Sequence, residues 1–219
     1  MIYAFTEVDK ISAPSFERWL RALPEFRRRQ AQSYRFKADA LLSVCSFLLL
    51  CIALGFVPTD FKVNEYGKPY IEGGPHFNIS HSANCVAAVA SPSPAGVDCQ
   101  SLAPFKEAVM RRVFTADEIY DIINSKDPQR LFFTYWTLKE SYVKALGVGM
   151  SFPFRQVSFK ITDGRPVCSD ESFEFSSYSL GAIQLSGCGR QSFGLKRLGL
   201  EEFIVHADRI LEAGYAGGA

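Results

Sequence analysis

Two carboxylates, Asp98 and Glu140, could do chemistry, and the first of them stands among apolar residues. Asp98 lies in GVDCQ, residues 96–100, and Glu140 lies in WTLKESYVKALG, residues 136–147. A buried carboxylate is costly unless a cation or hydrogen-bond donors neutralise it. Gln100 is two residues beyond Asp98, so both would lie on one face of a strand. Oxygen ligands of this kind suit Mg²⁺, which takes one or two carboxylates together with waters or phosphates.

Glu140 also belongs to a helical stripe. Trp136, Glu140 and Lys144 are spaced four residues apart, so a helix over about 129–146 that ends at Gly147 would align them. On such a stripe the carboxylate could bind a metal while the lysine meets a phosphate. The alternative is a surface ion pair between Glu140 and Lys144, worth about a few tenths of a kcal/mol. Spacing alone leaves both interpretations open.

A serine and a histidine stand together in FNISHS, residues 77–82, where a strand is expected to meet a polar turn. Neighbours on an extended chain point to opposite sides, which argues against Ser80 and His81 as the nucleophile and base of a hydrolase. Both side chains could instead donate hydrogen bonds to phosphate oxygens. A purely structural turn is the alternative.

Basic residues are scattered along the chain. They include the arginine run 27–29, Lys68 in EYGKP (65–69), and Lys139 with Lys144. Separated cations of this kind could surround a ligand with several phosphates, although each alone would equally be a solvated surface charge. The formal net charge is +1, so no global field attracts nucleic acid or an anionic membrane, and neither partner is expected.

The composition indicates a globular protein. The 219 residues are 47% hydrophobic and 14% aromatic, enough for one large domain or two small ones sharing a core. The six cysteines form no CxxC pair and are interpreted as small buried hydrophobes in a reducing compartment. The first ten residues lack a secretory pattern, so a cytoplasmic location is predicted.

One apolar run could suggest a membrane. Residues 41–57 carry no charge and approach the roughly 20 residues that span a bilayer. Ser43 and Ser46 interrupt the run, and Asp39 and Asp60 flank it closely. These features favour a buried core helix, with a membrane span as the alternative.

The remaining pattern predicts short strands and helices in two halves, residues 1–93 and 94–219. The boundary between them lies in the linker-like segment SPSPAG, residues 91–96. Elements are predicted as follows: a strand near 1–8, helices within 15–35 and 41–57, a turn at 65–69, two strands around a turn at 80–84, a strand at 96–100, a helix or loop over 102–113, a capped helix from Thr115, strands within 154–190, and a strand or short helix over 199–213.

Four segments together resemble a known family. The segments at 65–69, 77–82, 96–100 and 136–147 are similar, in order and in separation, to motifs of the Sfp-type 4′-phosphopantetheinyl transferases. The likeness spans about residues 20–150. It implies an α/β fold of the α+β kind, with two similar halves related by a pseudo-twofold axis. Each half would be a small sheet packed with helices, and the ligand site would lie between them.

The resemblance implies a reaction as well as a fold. Members move the 4′-phosphopantetheine arm of coenzyme A to a serine of an apo acyl or peptidyl carrier protein. The transfer depends on Mg²⁺ and releases adenosine 3′,5′-bisphosphate. Because the two halves are fused in one chain, a monomer would be self-sufficient. The family therefore suggests coenzyme A and a carrier protein as the partners.

The resemblance also assigns roles to individual residues. Asp98, Glu140 and Gln100 would be at the metal, Glu140 would also be the base for the carrier serine, and Lys144 would assist catalysis. The residues implied at coenzyme A are Lys68, Ser80, His81 and Lys144 at its phosphates, with Arg27 and Ser43 near the adenosine 3′-phosphate. The carrier would dock near 102–116 and after Gly147, against Leu102, Phe105, Met110 and Phe152.

The chain departs from the family in one motif. The usual pattern is G-[IV]-D-[IV]-E, whereas this sequence has Cys99 and Gln100 in the last two places. Gln100 removes one negative charge from the metal site, and a water could fill that position. The departure motivates an alternative function, a catalytically weakened relative that binds coenzyme A without transferring the arm.

Overall fold

The computed structural model describes residues 1–216. The helices are α1 (Ala13–Ala22), α2 (Glu25–Ser33), α3 (Lys37–Leu54), α4 (Glu107–Val113), α5 (Ala116–Asn124), α6 (Pro128–Leu146) and α7 (Leu200–Ala216). The strands are β1 (Ile2–Phe5), β2 (Lys62–Val63), β3 (Pro69–Tyr70), β4 (His76–Ser82), β5 (Cys85–Ser91), β6 (Gly96–Ser101), β7 (Phe159–Thr162), β8 (Arg165–Cys168), β9 (Glu174–Leu180), β10 (Ile183–Gly189) and β11 (Leu195–Leu198).

Two small sheets carry most of the strands. The first has the order β11-β1-β5-β4, in which β1 is parallel to β11 and antiparallel to β5. The second is the antiparallel sheet β6-β10-β9, and β2-β3 and β7-β8 are separate hairpins. Helix α3 packs on β5, and α6 packs on β6 and β10. The predicted α/β class, with small sheets packed against helices, is confirmed, while the pseudo-twofold relation stays a prediction.

The last elements of the chain return to the first sheet. β11 pairs with β1, and Phe203 of α7 stacks on Phe5 with ring centroids 4.2 Å apart. The ring of Trp19 contacts Phe203 edge to face. The segment predicted as a strand or short helix over 199–213 is therefore a helix. β11 and α7 follow the second sheet in sequence but complete the core of the first.

The apolar run is a core helix. α3 buries an unbroken stretch from Ser43 to Cys51 and contacts both β5 and α7. Gly55 ends it in the left-handed conformation, with φ 80° and its N–H donating to the carbonyl of Cys51. By length and composition alone this helix could cross a membrane. Its burial against a sheet and a second helix instead confirms the core-helix prediction.

The cysteines pack as small hydrophobes. All six are free thiols, and five of them are buried, Cys168 being partly exposed. Burial raises the pKa of thiols such as Cys168, to about 11. These thiols are consequently poor nucleophiles at neutral pH.

Candidate active site

Asp98 and Glu140 come together where α6 crosses β6. Asp98 is on β6 with 1% of its surface exposed, and Glu140 is on α6 with 7% exposed. The sequence predicted both elements and the helix end at Gly147, which adopts φ 73°. Their packing brings the strand carboxylate and the helix carboxylate to one buried site.

The carboxylate of Asp98 is satisfied on one oxygen and free on the other. Its Oδ1 accepts hydrogen bonds from Nζ of Lys144 at 2.6 Å and from Oγ of Ser80 at 2.8 Å. Its Oδ2 is buried and has no hydrogen-bond partner within residues 1–216. A buried carboxylate oxygen without a donor is an unfavourable arrangement that a bound cation would relieve.

Glu140 is held near its protonation midpoint at neutral pH. Burial, and then the negative charge of Asp98, raise the pKa of Glu140 to about 7, and Lys144 opposes this shift. The alternative of a surface Glu140–Lys144 pair is wrong, because Glu140 is buried and the Lys144 ammonium bonds Asp98 and Ser80. The two carboxylates repel each other, and this repulsion favours a cation shared between them.

The donor set fits Mg²⁺. Among the described residues no group of three or more His, Cys, Asp or Glu could hold a metal ion. The third oxygen donor here is an amide, Gln100, which alternation along β6 puts on the same face as Asp98. The Gln100 carbonyl is only weakly engaged, by Oγ of Ser82 at 3.5 Å. Two carboxylates and an amide oxygen suit Mg²⁺, which retains water among its ligands.

Ser80 and His81 lie inside β4 and not in a turn, which corrects the sequence-based placement. β4 pairs with β5 as far as Ser82 and Cys85, so only Ala83 and Asn84 form the turn. The expectation that the two side chains point apart is confirmed, since Ser80 is buried and His81 is exposed. Reduced hydration, and then the charge of Lys144, lower the pKa of His81.

Alternate side chains of β4 join the two sheets. Asn78 Oδ1, Ser80 Oγ and Ser82 Oγ accept hydrogen bonds from the backbone N–H groups of β6 at 3.0, 3.2 and 2.9 Å. The donors are those of Val97, Cys99 and Ser101. Sequence reasoning missed this role of Asn78 and Ser82, although the polar residues at every second position of NISHS signal a functional strand face.

The bond to Asp98 also uses the only hydrogen of the Ser80 hydroxyl. Nζ of Lys144 donates at 3.1 Å to the same Oγ, which is thus an acceptor as well as a donor. Ser80 therefore orients Asp98 and Lys144 in this arrangement and has no hydrogen left for a phosphate.

Arg27 and Ser43 are brought together, but inside the protein. Nη2 of Arg27 donates to the carbonyl and to Oγ of Ser43 at 3.0 and 3.1 Å, and its guanidinium lies 4.9 Å from the ring centroid of Phe47. Arg27 is 8% exposed, and burial lowers its pKa. The pair ties α2 to α3, and its role at the adenosine 3′-phosphate stays a prediction.

Two cavities flank the site. One of about 240 Å³ is lined by Tyr66, Lys68, Asn78, Glu140 and Lys144, among others. The other, of about 550 Å³, lies between α4, α6 and the segment after Gly147 and is lined by Val109, Arg112, Trp136, Phe152 and Phe154, among others. A larger groove of about 740 Å³ along β8 and β9 contains none of the predicted site residues.

The residues predicted for carrier docking are split by the fold. Phe152 lines the 550 Å³ cavity. Met110 is 4% exposed and belongs to the core, and Phe105 stacks on Phe132 with ring centroids 4.4 Å apart. Met110 was therefore wrongly predicted as a surface contact, because α4 turns it into the hydrophobic core that also contains Phe132 of α6.

Comparison with known proteins shows the family of this chain. The family model for the 4′-phosphopantetheinyl transferase superfamily matches residues 94–188. A 4′-phosphopantetheinyl transferase of Bacillus subtilis is 31% identical over 173 residues, covering 74% of this chain and 77% of the relative. The transferase Sfp of Bacillus subtilis strain 168 is 28% identical over 193 residues, covering 79% and 86%. The chain belongs to the Sfp-type 4′-phosphopantetheinyl transferases.

The chain is thus a transferase, and its resemblance to known enzymes extends over most of its length. Among solved structures, the holo-[acyl-carrier-protein] synthase of Neisseria meningitidis overlaps 44% of this chain and 95% of its own, at 18% identity and a TM-score of 0.40.

Proposed function

We propose that the enzyme transfers the 4′-phosphopantetheine arm of coenzyme A to a serine of an apo acyl or peptidyl carrier protein, with Mg²⁺ as cofactor. The second product is adenosine 3′,5′-bisphosphate. One observation carries the proposal. The free, buried Oδ2 of Asp98 lies at a site that also contains Glu140 and the ammonium of Lys144. This arrangement supports binding of a divalent cation next to a phosphate.

Asp98, Glu140 and Gln100 would hold the metal through their side-chain oxygens. When bound, Mg²⁺ would neutralise negative charge on the pyrophosphate of coenzyme A. The chain itself supplies further positive charge. Of the three hydrogens on Nζ of Lys144, two are used by Asp98 and Ser80 among the described residues, and the third is available for a phosphate oxygen. His81, exposed on the opposite face of β4, is a second candidate donor.

Glu140 would take the proton of the carrier serine, directly or through a water. The serine oxygen forms a bond to the phosphorus that carries the pantetheine arm. The bond from that phosphorus to the oxygen of the adenosine bisphosphate breaks, and that oxygen leaves with the electron pair. In the metal-free protein the pKa of Glu140 is about 7, so this carboxylate is more basic than an ordinary glutamate.

The 550 Å³ cavity supports docking of the carrier. Its apolar walls include Val109, Val113 and Trp136, and Arg112 contributes a positive charge. Such a surface suits a helix with an apolar face and acidic residues beside it. Trp136 is on α6 four residues before Glu140, so a helix docked here would lie near the proposed base.

We further propose that the enzyme is a monomer and that it is located in the cytoplasm.

The direct test is mass spectrometry of an apo carrier protein incubated with the enzyme, coenzyme A and Mg²⁺. The expected result is a mass increase of one phosphopantetheine, abolished by a chelator and restored by added Mg²⁺. Several acyl and peptidyl carriers are assayed in parallel, with a known transferase as the positive control. An unchanged mass on every carrier that the known enzyme modifies would rule the function out.

A second candidate function is coenzyme A binding without transfer, and Gln100 is the observation that favours it. The amide replaces the third acid of the usual motif, so the metal site carries less negative charge. Calorimetry that detects coenzyme A binding in the presence of Mg²⁺, combined with a negative mass assay, would favour this candidate over the transferase.

A further inference from the structure

The carbonyl groups at the end of a helix have no partners within the helix and need donors from elsewhere. In α6 this end matters for function, because Lys144 is in its last turn. Gly147, with φ 73°, closes the helix by donating its N–H to the carbonyl of Val143 at 2.9 Å. The carbonyls of Lys144, Ala145 and Gly147 receive their donors from a different part of the chain.

Those donors come from the turn between β2 and β3, residues 64–68. Asn64 shapes the turn, since its Oδ1 accepts from the N–H of Tyr66 at 3.0 Å and of Lys68 at 2.8 Å. Gly67 permits the turn with φ 83°. The other end of the Asn64 amide donates to the carbonyl of Gly147 at 2.8 Å.

Lys68 supplies the remaining bonds. Its Nζ donates to the carbonyl of Lys144 at 2.5 Å, to that of Ala145 at 3.2 Å and to that of Ala95 at 3.4 Å. Ala95 directly precedes β6, the strand that carries Asp98. One ammonium group therefore joins the end of the helix that carries Glu140 and Lys144 to the start of the strand that carries Asp98.

From this geometry we infer that Lys68 is a positioning residue that fixes the end of α6 against β6, and not a ligand of coenzyme A phosphates. An ammonium group has three hydrogens, and three carbonyl oxygens accept them here. A cation at a helix C-terminus also interacts favourably with the helix dipole. Lys144, by contrast, keeps one hydrogen free among the described contacts. The inference rests on the proposed function for its kinetic consequences only.

The fit around Lys68 is close. A Cβ added at Gly147 would lie 2.9 Å from Cδ of Lys68 and 3.2 Å from Nδ2 of Asn64. The turn and the helix end are thus in direct contact: Lys68 bonds the carbonyls of Lys144 and Ala145, and Asn64 bonds that of Gly147. Asn64 carries no charge, which makes it the matched control for Lys68.

The test compares Lys68→Met, Asn64→Ala and Lys144→Met. For Lys68→Met and Asn64→Ala we expect matched effects, namely faster hydrogen exchange at the end of α6 and a kcat lowered by about tenfold. Coenzyme A binding in both should keep the wild-type dependence on ionic strength, because neither removes a phosphate contact. Lys144→Met should weaken binding and flatten its salt dependence.

A phosphate ligand would behave differently. Lys68→Met would then flatten the salt dependence as Lys144→Met does, while exchange at the end of α6 stayed at the wild-type rate and Asn64→Ala had no effect. Unchanged exchange and kcat in Lys68→Met would equally overturn the inference. The exchange measurement needs no substrate, so it decides the positioning role even if the wild-type enzyme modifies no carrier.

Discussion

Gly96 of β6 lies directly against Ser141 of α6. A Cβ added at Gly96 would lie 2.0 Å from the carbonyl oxygen of Ser141 and 2.5 Å from the amide nitrogen of Ala145. No real side chain tolerates such distances to backbone atoms. The missing side chain therefore sets how closely the strand bearing Asp98 approaches the helix bearing Glu140 and Lys144.

Gly96→Ala should consequently separate the two elements of the site. We expect a loss of about 1–3 kcal/mol in unfolding free energy, typical of overpacking, together with loss of transfer activity. Gly199→Ala is the control, because a Cβ there meets no atom within 4 Å. Denaturant unfolding and the carrier assay would check both variants. A Gly96→Ala protein with wild-type stability and turnover would show that the contact at Gly96 does not set the separation of β6 and α6.

Removing either carboxylate should abolish transfer without unfolding the protein. Glu140→Gln keeps the size of the side chain and removes its ability to accept a proton, and Asp98→Asn removes the charge that balances Lys144. We expect turnover to fall by at least about a hundredfold in Glu140→Gln, in line with the usual contribution of a general base. A similar loss is expected in Asp98→Asn, because the proposed metal site loses a charged ligand. Glu17→Gln, at an exposed position on α1, is the control. Turnover near wild type in Glu140→Gln would exclude it as the base.

The contribution of Glu140 to the stability of the metal-free protein should fall as the pH rises towards neutrality. The folded-state pKa of Glu140, about 7, is above its usual value of 4.5, so the folded protein binds the proton more tightly than the unfolded one. This contribution is complete below pH 4.5 and is lost between pH 4.5 and 7. It amounts to at most about 3 kcal/mol.

Chemical denaturation in the presence of a chelator would measure this effect, with Glu140→Gln as the comparison. The difference in unfolding free energy between the wild type and Glu140→Gln should shift in favour of the variant as the pH rises through that window. A difference that stays constant from pH 4.5 to 8 would mean that Glu140 titrates normally in the folded protein.

Gln100→Glu should restore a third carboxylate and lower the Mg²⁺ concentration required for half-maximal activity. The reason is the added negative charge next to Asp98, which favours a divalent cation. Turnover at saturating Mg²⁺ is expected to stay the same or rise. Titration of activity with Mg²⁺ provides the measurement. An unaltered half-saturation would indicate that residue 100 does not contact the metal.

A second buried ion pair supports the cavity proposed for the carrier. Lys139 and Glu118 are both fully buried and 3.0 Å apart, and the Lys139 ammonium also donates to the carbonyls of Phe154 and Val157 at 2.9 and 2.5 Å. Glu118 further accepts from the N–H groups of Thr115 and Phe159. The pair therefore holds the wall of the cavity that contains Phe154.

Replacing one residue of this pair should lower the unfolding free energy more than replacing both. Glu118→Gln or Lys139→Met leaves a buried charge without its partner, and we expect about 3–5 kcal/mol of destabilisation for either. The double variant should recover part of that loss. Urea unfolding of the three variants forms the double-mutant cycle, and strictly additive losses would contradict coupling between the two residues.

Local patterns along the sequence were sufficient to predict the elements of the site, but not their contacts. The alternation in GVDCQ and the helical spacing from Trp136 to Lys144 correctly predict β6 and α6. The meeting of Asp98 and Glu140 was implied by the family resemblance and not by these patterns. The capping box of Thr115 and Glu118 is also present. These features depend on neighbours within a few residues, which a sequence pattern records directly.

Contacts between segments that are distant in the sequence could not be predicted from local patterns. The bonds of Lys68 to the end of α6 join residues 76 and 77 positions apart, and no local pattern indicates them. The same holds for Ser80, whose hydroxyl turns to Asp98 and not to open space. A charged or polar residue in a motif has many possible partners, and only the packing of the chain decides which of them it meets.

The pairing of β1 with β11 has a consequence for how the protein is made. β1 is synthesised long before its parallel partner, since Ile2 pairs with Leu195. Until that partner is made, one edge of the first sheet stays open, and an open edge invites pairing with other chains. We therefore expect a nascent or truncated chain that ends in the linker at 91–96 to aggregate, so the two halves cannot be produced separately as stable proteins.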